Sequence, residues 1–427
     1  MVPCPPDPRW SPDDGLAADL AQRFGTPLYV VNEAHFRATI RNYRQAFSAV
    51  EPGGELTFAS KANSVCGILR IAWQEGCRID CASAGELMAA LQAGIPAADC
   101  HLHGNNKSDF EIEFAIQSGI GQIVVDNSGE LRHLAEIGCQ TELMLRLAPG
   151  VLPVTNEKIS TGQQDTKFGF SILGGQAEEA VQFCLDRGLN LAGFHCHVGS
   201  QLLDPAAQIE AGKKLAEFAL RMKAMCGFEA RVLNLGGGRA VRYTDELPMP
   251  VADYCAELSR GVRDALSLGG LFPKLVQEPG RSLIAECGVT LYRVGVVKDV
   301  PLPDGASRRY VVVDGGLADN PRPALYGAAY AAYVVGKTPP NHPTKVSGRH
   351  CESDMLIAEA DLPADTAPGD VLVTLSTGAY SSSMASNYNR YPRPATVLVR
   401  ENGGVDILQK AETWQDLLSR ECLPEDL

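Results

Sequence analysis

The stretch Leu56-Thr57-Phe58-Ala59-Ser60-Lys61-Ala62-Asn63 begins as an apolar, strand-like run and delivers a lysine to its carboxyl end. In a β/α barrel, the carboxyl ends of the strands form the face on which active sites are built. A lysine at such a position is suited to form a Schiff base with a carbonyl group. The stretch therefore predicts a barrel strand that ends on a candidate catalytic residue, Lys61. The competing interpretation is an ordinary surface lysine after a strand.

Seven further runs have the same form, a short strand pattern that closes on a polar or glycine residue. They lie at residues 78–81, 100–105, 122–127, 142–146, 191–198, 231–236 and 274–278. The first four of the eight runs begin at residues 56, 78, 100 and 122, a constant step of 22 residues that leaves room for one helix between parallel strands. This alternation predicts an eight-stranded β/α barrel. The alternative is an open doubly wound sheet, which collects its ligand contacts at a switch point.

One of the intervals between these runs shows a clear helix pattern. Residues 84–93 are rich in helix formers, with Ser83 as a candidate N-cap and Gly94 as a candidate end. A longer interval, at residues 205–225, is also expected to contain one helix. These helices supply the crossover connections that a parallel barrel needs.

The chain is built differently after position 281. Five segments, at residues 294–299, 309–314, 370–375, 395–399 and 405–409, are short, β-rich and separated by proline and glycine, as in a β-sandwich or small barrel. The segment at residues 26–31 has the same character and is expected to join them. The sequence thus predicts a barrel domain at residues 34–282 plus a C-terminal all-β domain, formed by residues 283–427 together with residues 1–33.

The composition is that of a soluble enzyme with two domains. The 427 residues are 45% hydrophobic and 21% charged, which gives enough apolar chain for a sizeable core. The formal net charge of -13 argues against nucleic acid as a partner. Neither a secretion signal nor an apolar run of membrane-spanning length is found, so a cytoplasmic location and no membrane partner are expected. Thirteen cysteines without a C-x-x-C pair indicate reduced thiols and disfavour a zinc site.

Six motifs, in order along the chain, carry a family resemblance. They are Phe58-Ala59-Ser60-Lys61-Ala62-Asn63, His195-Cys196-His197-Val198-Gly199-Ser200-Gln201, Gly236-Gly237-Gly238, Glu278-Pro279-Gly280-Arg281, Cys351-Glu352-Ser353, and Gly378-Ala379-Tyr380 with Met384-Ala385-Ser386-Asn387-Tyr388-Asn389. Together they resemble the alanine-racemase-fold (fold type III) pyridoxal-phosphate decarboxylases, and within these the diaminopimelate decarboxylase branch. The resemblance covers roughly residues 25–415. It implies that the cofactor is pyridoxal 5'-phosphate and that the barrel domain binds it.

The chemistry of pyridoxal phosphate calls for three kinds of group. A lysine must bind the carbonyl carbon, which suits Lys61, and a carboxylate must keep the pyridine nitrogen protonated, which suits Glu278 at the end of the eighth run. The alternative for Glu278 is an ion pair with Arg281. Gly236, Gly237 and Gly238 after the seventh run let the main chain come close to the phosphate, although three glycines are more often a flexible turn.

The resemblance adds further contacts to the cofactor. Ser200 and Tyr380 are expected to bind the phosphate, and Gly280 and Arg281 complete the expected cofactor contacts. The resemblance also implies that His197 stacks on the pyridine ring. A metal site formed by this histidine and His195 is disfavoured, because a third ligand at fixed spacing is missing.

Two more charged residues at strand ends are expected close to these groups. Asp80 follows the second run and Arg146 the fifth. One interpretation is that they orient Lys61 and His197. The other is that Asp80 and Arg146 form a structural ion pair.

The resemblance also implies the substrate and the way in which it is held. Arg281 and Arg322 suit a substrate with a second carboxylate, because a guanidinium binds a carboxylate with two parallel hydrogen bonds. The other expected substrate contacts are Tyr326, Glu352, Ser353 and Tyr380, of which Glu352 meets the distal ammonium. Cys351 is the expected proton donor, whereas the default for a cysteine is a buried structural thiol. This set matches meso-2,6-diaminopimelate, whose decarboxylation gives L-lysine.

One departure from the family pattern leaves an alternative substrate open. The family has a glycine between the serine and the aspartate of the cysteine loop, whereas here Asp354 directly follows Ser353. The segment Ala318-Asp319-Asn320 also differs from the sequence that is commonest in the family. A lysine or ornithine decarboxylase would share every cofactor residue, and a non-catalytic pyridoxal-phosphate-binding homologue would be expected to lack Lys61 or Cys351.

The resemblance implies, finally, how the active site is completed. The C-terminal all-β domain is expected to supply the cysteine loop. This loop is expected to come from the partner subunit of a homodimer with two shared active sites.

Overall fold

The computed structural model describes residues 7–151 and 166–427. The chain divides into two compact units. The β unit consists of Met1–Phe36, Arg242–Glu246 and Ile284–Leu427, and the barrel unit consists of Arg37–Val241 and Leu247–Leu283. The short segment Arg242–Glu246 lies within the barrel part of the sequence but belongs to the β unit, which the sequence did not predict.

Eight parallel strands form the barrel unit. Numbered with the other strands of the described chain, they are β2 (Glu55–Ala59), β3 (Arg78–Cys81), β4 (Cys100–Leu102), β5 (Gln122–Val125), β6 (Glu142–Ala148), β8 (Leu191–His195), β9 (Val232–Asn234) and β10 (Lys274–Gln277). Neighbours pair in the order β5-β4-β3-β2-β10-β9-β8-β6, and β5 also pairs with β6, so the sheet closes on itself. The two-residue strand β7 (Phe170–Ser171) adds to β6. The predicted eight-stranded β/α barrel is confirmed.

Helices precede, connect and follow the barrel strands. They are α2 (Glu33–Val50), α3 (Cys66–Gln74), α4 (Ala84–Gln92), α5 (Asp109–Gln117), α6 (Ser128–Glu136), α7 (Gln176–Asp186), α8 (Ala206–Cys226), α9 (Val251–Ser267) and α10 (Arg281–Ile284). Helix α4 begins where the sequence predicted, because Ser83 Oγ accepts a hydrogen bond from the N–H of Glu86 at 3.3 Å. No helix of the described residues has the length and apolar character needed to cross a bilayer.

Apolar side chains from five strands fill the barrel interior. Val124, Met144, Ala192, Val232 and Val276 form one buried cluster. Branched apolar residues are typical of this position, where side chains from successive strands stack in layers. The barrel is therefore a packed core, and the carboxyl ends of its strands form the face that is left for chemistry.

The β unit is built on a mixed sheet of nine strands in the described chain. They are β1 (Leu28–Asn32), β11 (Gly288–Pro301), β12 (Ser307–Val313), β13 (Ala332–Val334), β14 (Asn341–Ser347), β15 (Met355–Pro363), β16 (Val371–Thr374), β17 (Ala395–Val399) and β18 (Val405–Gln409). Their order is β15-β14-β12-β11-β1-β17-β18, and β16 pairs with β11 and β13. Strand β1 pairs with β11 and β17, so the amino-terminal strand joins the later strands as the sequence predicted.

The sequence missed β13, β14 and β15. Strand β14 contains Pro343, and its residues are mostly exposed or half-buried, so that it has no apolar run. Strand β15 begins at Met355, directly after the cysteine loop. Two helices complete the unit, α1 (Asp14–Phe24) and α11 (Arg322–Tyr326). The core packs α1 against the sheet through Ala17, Leu20, Ala21, Leu28, Val30, Val289, Leu291, Val371, Val373, Ala395, Val397 and Val399.

Candidate active site

Lys61 lies just beyond β2, in a short 3-10 turn formed by Ser60–Ala62. Its side chain is exposed, whereas the residues on either side of it are buried. Ser60 Oγ donates a hydrogen bond to Glu86 Oε2 at 2.6 Å, and the same oxygen accepts one from the N–H of Ala82 at 2.7 Å. The backbone of the turn is thereby fixed while the lysine Nζ remains accessible at the carboxyl end of the strand.

Polar side chains from five strand ends meet in one buried cluster around Glu278. His195 Nε2 lies 3.0 Å from Glu278 Oε2, and Asn234 Nδ2 donates a hydrogen bond to Glu278 Oε1 at 2.6 Å. His103 Nε2 lies 3.1 Å from Glu278 Oε1 and 3.5 Å from Asp80 Oδ1. The two imidazole rings meet edge to face, with their centroids 5.0 Å apart. The cluster joins β3, β4, β8, β9 and β10 at the face where a barrel enzyme carries its chemistry.

The cluster keeps Glu278 ionised. Burial on its own raises the pKa of this carboxyl group, but His103 and His195 outweigh it and hold the pKa well below its usual range. Burial lowers the pKa of His195 to about 4, so this histidine is neutral at neutral pH. Burial raises the pKa of Asp80 to about 6. The barrel unit therefore contains a permanent buried negative charge at Glu278.

Gly236, Gly237 and Gly238 form a tight loop beyond β9. A Cβ atom on Gly237 would lie 2.2 Å from the carbonyl oxygen of Glu278, and one on Gly236 would lie 2.5 Å from that of Cys196. Gly236 and Gly238 also have positive φ angles of 67° and 142°, which favour glycine. Glycine is therefore required in this loop, because the neighbouring strand ends come so close to it. The interpretation as a merely flexible turn does not fit.

Two buried amide side chains fix the orientation of this loop. Asn234 Oδ1 accepts a hydrogen bond from the N–H of Gly236 at 2.9 Å. Gln208 Nε2 donates to the carbonyl oxygen of Leu235 at 2.8 Å, and Tyr254 O–H donates to Gln208 Oε1 at 2.6 Å. Because Asn234 also contacts Glu278, one side chain connects the buried carboxylate with the glycine loop.

His197 follows β8 and is half-buried. A Cβ atom on Gly236 would lie 2.9 Å from His197 Nδ1, so the imidazole lies against the glycine loop. Its burial and, after it, the positive charges of Lys61 and Arg146 lower the pKa of His197 well below the usual range. The ring is therefore neutral at neutral pH and suited to stack on an aromatic cofactor.

In the structure, several charged residues have partners other than those that the sequence indicated. Arg281 Nε donates to Ser200 Oγ at 3.0 Å, and the partners of Glu278 are the histidines and Asn234 rather than an arginine. The ion pair between Asp80 and Arg146 is wrong, because Arg146 Nη1 lies 3.8 Å from Asp126 Oδ2 and its guanidinium lies 4.2 Å above the ring of Phe168.

The sequence spacing around His195 does not show which groups the fold brings next to it. His103, His195 and Glu278 each offer one ligand atom, and these atoms lie within 4.8 Å of one another. The sequence does not show this grouping, because His103 follows β4 and lies far from His195 and Glu278 along the chain. His195 and Glu278 already share a hydrogen bond in this arrangement.

The barrel unit fits pyridoxal phosphate at each functional group. An accessible lysine can hold the carbonyl carbon, an ionised carboxylate can face a pyridinium, and a glycine loop can approach a phosphate. The buried atom Asp80 Oδ1 makes no hydrogen bond within the described chain. Such an atom is expected where a ligand supplies the missing partner.

In the β unit, the structure surrounds Arg322 with tyrosines. Arg322 is 6% exposed, and its Nη1 donates to the hydroxyl oxygens of Tyr330 at 2.5 Å and Tyr243 at 3.1 Å. It also lies 5.0 Å from the ring centroid of Tyr243 and 6.0 Å from that of Tyr380. Burial lowers the pKa of Arg322, but the tyrosines outweigh it and raise the pKa. Arg322 is therefore a preoriented cation, and Tyr326 closes the same helix, half-buried.

The cysteine loop lies elsewhere in the β unit, with Cys351, Glu352 and Ser353 all exposed. The N–H of Cys351 donates to Asn389 Oδ1 at 3.3 Å, and Tyr388 O–H donates to Glu352 Oε1. The loop is thus held by Tyr388 and Asn389, in the motif at residues 384–389.

Asp354 explains how the loop works without the family's glycine. Its carboxylate is buried and accepts hydrogen bonds from the N–H of Leu317 at 2.6 Å and from the N–H of His350 at 3.0 Å. His350 Nδ1 lies 2.6 Å from the same carboxylate. A Cβ atom on Gly348 would lie 2.0 Å from Asp354 Oδ2, so the glycine here makes room for the aspartate. The shortened loop is anchored at both ends.

Five buried residues of these sites were missed in the sequence. They are His103, Gln208, Asn234, Tyr243 and Tyr330. A polar residue at the carboxyl end of a barrel strand was the available signal for His103 and Asn234. For Tyr243 there was no signal, because nothing in the sequence shows that its segment belongs to the β unit.

Comparisons with known proteins agree with this geometry. Residues 33–285 match the family model described as "Pyridoxal-dependent decarboxylase, pyridoxal binding domain". The diaminopimelate decarboxylase of Bacillus subtilis (strain 168) is 42% identical over 409 residues, which cover 93% of this chain and 92% of that protein. That of Mycobacterium tuberculosis (strain ATCC 25618 / H37Rv) is 39% identical over 417 residues, which cover 94% of this chain and 92% of that protein.

Solved structures show the same two-unit fold. The diaminopimelate decarboxylase of M. jannaschii in complex with L-lysine has a TM-score of 0.88 and 33% identity, covering 96% of this chain and 95% of that one. The lysine/ornithine decarboxylase of Vibrio vulnificus complexed with putrescine has a TM-score of 0.76 and 25% identity, covering 90% of this chain and 97% of that one. The chain therefore belongs to the pyridoxal-dependent decarboxylase family, and over more than 90% of its length it is similar to diaminopimelate decarboxylases.

Proposed function

We propose that the protein decarboxylates meso-2,6-diaminopimelate to L-lysine with pyridoxal 5'-phosphate as its cofactor. The observation that carries this proposal is the buried Glu278, whose carboxylate is held ionised by two histidines and Asn234. The proposal is supported by relatives that are 39% to 42% identical over most of the chain and are named diaminopimelate decarboxylase. The M. jannaschii structure contains L-lysine, the product of this reaction.

Each group of the barrel unit has a task in this reaction. When bound, pyridoxal phosphate supplies a protonated ring that accepts the electron pair left by departing carbon dioxide. Lys61 Nζ holds the cofactor, and Glu278 keeps a negative charge against the ring nitrogen. His197 covers the ring as a neutral imidazole. Backbone N–H groups of the glycine loop, with Ser200, hold the phosphate.

The proposed tasks of the β unit are proton supply and substrate recognition. After carbon dioxide has left, the reacting carbon must take up a proton, and Cys351 is proposed to hold that proton at Sγ. Arg322 is proposed to bind the distal carboxylate together with Arg281, and Glu352 to bind the distal ammonium. Tyr326, Ser353 and Tyr380 are proposed to complete the substrate contacts.

Substrate selectivity tests this assignment. The holoprotein should be compared on meso-2,6-diaminopimelate, L-lysine and L-ornithine by carbon dioxide release. Loss of a charge-assisted contact of about 1.5 to 3 kcal/mol predicts that kcat/KM for lysine and ornithine is roughly 10- to 150-fold lower. Equal or better turnover of lysine or ornithine would favour the second candidate, a decarboxylase like the one from Vibrio vulnificus, whose fold this chain shares.

Replacing Tyr330 with phenylalanine should weaken substrate binding through Arg322. The change removes a hydroxyl that accepts from Arg322 Nη1 at 2.5 Å and leaves the ring in place. A loss of about 1 kcal/mol in orientation predicts roughly a fivefold rise in KM for diaminopimelate. Steady-state kinetics should show kcat nearly unchanged.

Tyr333→Phe is the matched control for this prediction. The Tyr333 hydroxyl contacts Ser11 and Pro12 in the same unit. It is not among the groups described above as contacting Arg322. The control should leave KM as in the wild type. If both variants raise KM equally, the orienting role of Tyr330 is wrong.

We also propose that the active form is a homodimer with shared sites. The support is the family resemblance together with the exposure of Cys351, Glu352 and Ser353 in a single chain. A catalytic thiol and its neighbours would be shielded from solvent if a second subunit covered this loop. The interface would then be isologous, with each loop serving the partner's barrel.

Mixing two inactive variants tests the shared site. Lys61→Ala chains and Cys351→Ala chains should regain activity on mixing, because a mixed dimer has one site with both residues intact. About half of the dimers are mixed at random exchange, so roughly a quarter of wild-type activity should return. No recovery, with subunit exchange shown by mass spectrometry of tagged chains, would place each site within one chain.

We also propose that the enzyme works in the cytoplasm. All cysteines of the described residues have free thiols, including the exposed Cys351 and Cys422. Free thiols are typical of proteins that work in a reducing compartment.

A further inference from the structure

Two buried carboxylates lie in one cluster of the barrel unit. Asp80 and Glu278 are each 7% exposed. Burying two negative charges side by side is unfavourable unless positive charges offset them. Among the cations nearby, Arg146 already has Asp126 as its ion-pair partner, and Lys61 is close enough to stabilise the Asp80 carboxylate. A second cation next to Glu278 would balance the pair.

His103 lies where that cation is needed. Its Nε2 is between the two carboxylates, 3.1 Å from Glu278 Oε1 and 3.5 Å from Asp80 Oδ1. The ring is 7% exposed. The imidazole Nε2 therefore lies within ion-pair distance of both carboxylates.

The three buried histidines of this face differ in charge. Burial lowers the pKa of His101 to about 3 and that of His195 to about 4. Burial also opposes a charge on His103, but Asp80 and Glu278 together outweigh it and raise its pKa. Arg146 acts in the opposite direction and is the weakest of these influences. His103 is therefore the member of this group that carries a proton near neutral pH.

We propose that His103 holds a proton between Asp80 and Glu278 while the protein is free of cofactor, and releases it when a protonated pyridine nitrogen binds against Glu278. The N–H bond at His103 Nε2 breaks, and the proton passes to solvent, or to the ring nitrogen where that nitrogen arrives unprotonated. The cluster then keeps two negative and two positive charges before and after binding. This inference rests on the proposed role of Glu278 and is independent of the substrate.

Proton counting on cofactor binding tests this exchange. Cofactor-free protein is titrated calorimetrically at pH 6.5 with pyridoxamine 5'-phosphate, which cannot react with Lys61, in two buffers of different ionisation enthalpy. His103→Gln keeps a polar side chain that cannot carry the proton. We expect the wild type to release about one more proton per site than this variant. Equal proton release would overturn the proposal.

His101→Gln is the matched control, since His101 is a buried histidine two residues earlier in the chain that is already neutral. It should release as many protons as the wild type. If His101→Gln lowers the release as much as His103→Gln, the effect belongs to the packing of β4 and the proposal fails.

A measurement on the wild-type protein covers the case in which the variants do not fold. Histidine labelled at Cε1 reports imidazolium or imidazole by its carbon shift. One buried signal should show imidazolium at pH 6.5 without cofactor and imidazole with pyridoxamine 5'-phosphate bound. A neutral signal in the free protein, or a charged one in the complex, would contradict the exchange. Because no turnover is measured, a wrong substrate assignment leaves these results unchanged.

Discussion

Lys61→Ala should lose all covalently held cofactor and almost all decarboxylation. The lysine is the accessible amine at the carboxyl end of β2, and its turn is fixed through Ser60 and Glu86. Removing a residue that forms the covalent link in catalysis typically costs about four orders of magnitude or more in kcat. The assays are the visible absorbance of the bound cofactor, borohydride trapping followed by mass spectrometry, and carbon dioxide release.

Lys213→Ala serves as the control for this prediction. Lys213 is an exposed lysine on α8 and takes no part in the site. The control should keep the cofactor band, the trapped mass and wild-type turnover. A Lys61→Ala protein that still shows borohydride-trapped cofactor would assign the covalent link to another lysine.

Glu278→Gln should keep the fold and bind cofactor but lose most decarboxylation. The amide has nearly the same shape as the carboxylate, but it has no charge to hold the ring nitrogen protonated. Electrostatic groups aimed at developing charge contribute about 100- to 1,000-fold to kcat, and a loss of that size is expected here. Single-turnover kinetics with saturating cofactor separates this loss from weaker binding.

The neighbours of Glu278 make this prediction specific. Its carboxylate is ionised because His103 and His195 outweigh the cost of burial, so the variant removes one negative charge from a balanced cluster. Glu142→Gln is the control, since Glu142 lies at the start of β6 and pairs with Arg231. The control should turn over as the wild type does. Wild-type turnover in Glu278→Gln would show that decarboxylation does not need the negative charge of Glu278.

The barrel was predictable from the sequence because its signal is local and repeated. Each strand is a short apolar run followed by a polar or glycine residue, and the constant step of the first four runs leaves one helix between strands. Strand β14 lacks this signal, because it contains a proline and most of its residues are exposed or half-buried. It is held in place by pairing with its neighbours in the sheet. Its existence depends on pairing across long sequence distances.

The sequence predicted those site residues that stand in a recognisable motif. It did not predict residues whose role depends on charged neighbours from other parts of the chain. Lys61 and Glu278 stand in motifs, and the fold places both at strand ends. His103 gains its proposed role only from contacts with Asp80 and Glu278, which lie on other strands. Likewise, the orientation of Arg322 depends on Tyr243, a residue from a segment inside the barrel part of the sequence.

Product analysis with meso-2,6-diaminopimelate tests the central claim most directly. The purified protein, loaded with pyridoxal 5'-phosphate, is incubated with this amino acid, and carbon dioxide and L-lysine are measured together. We expect both to appear in equal amounts, and we expect the Lys61→Ala protein to form neither. Carbon dioxide release without lysine, or no release from a protein that demonstrably holds the cofactor on Lys61, would contradict the central claim.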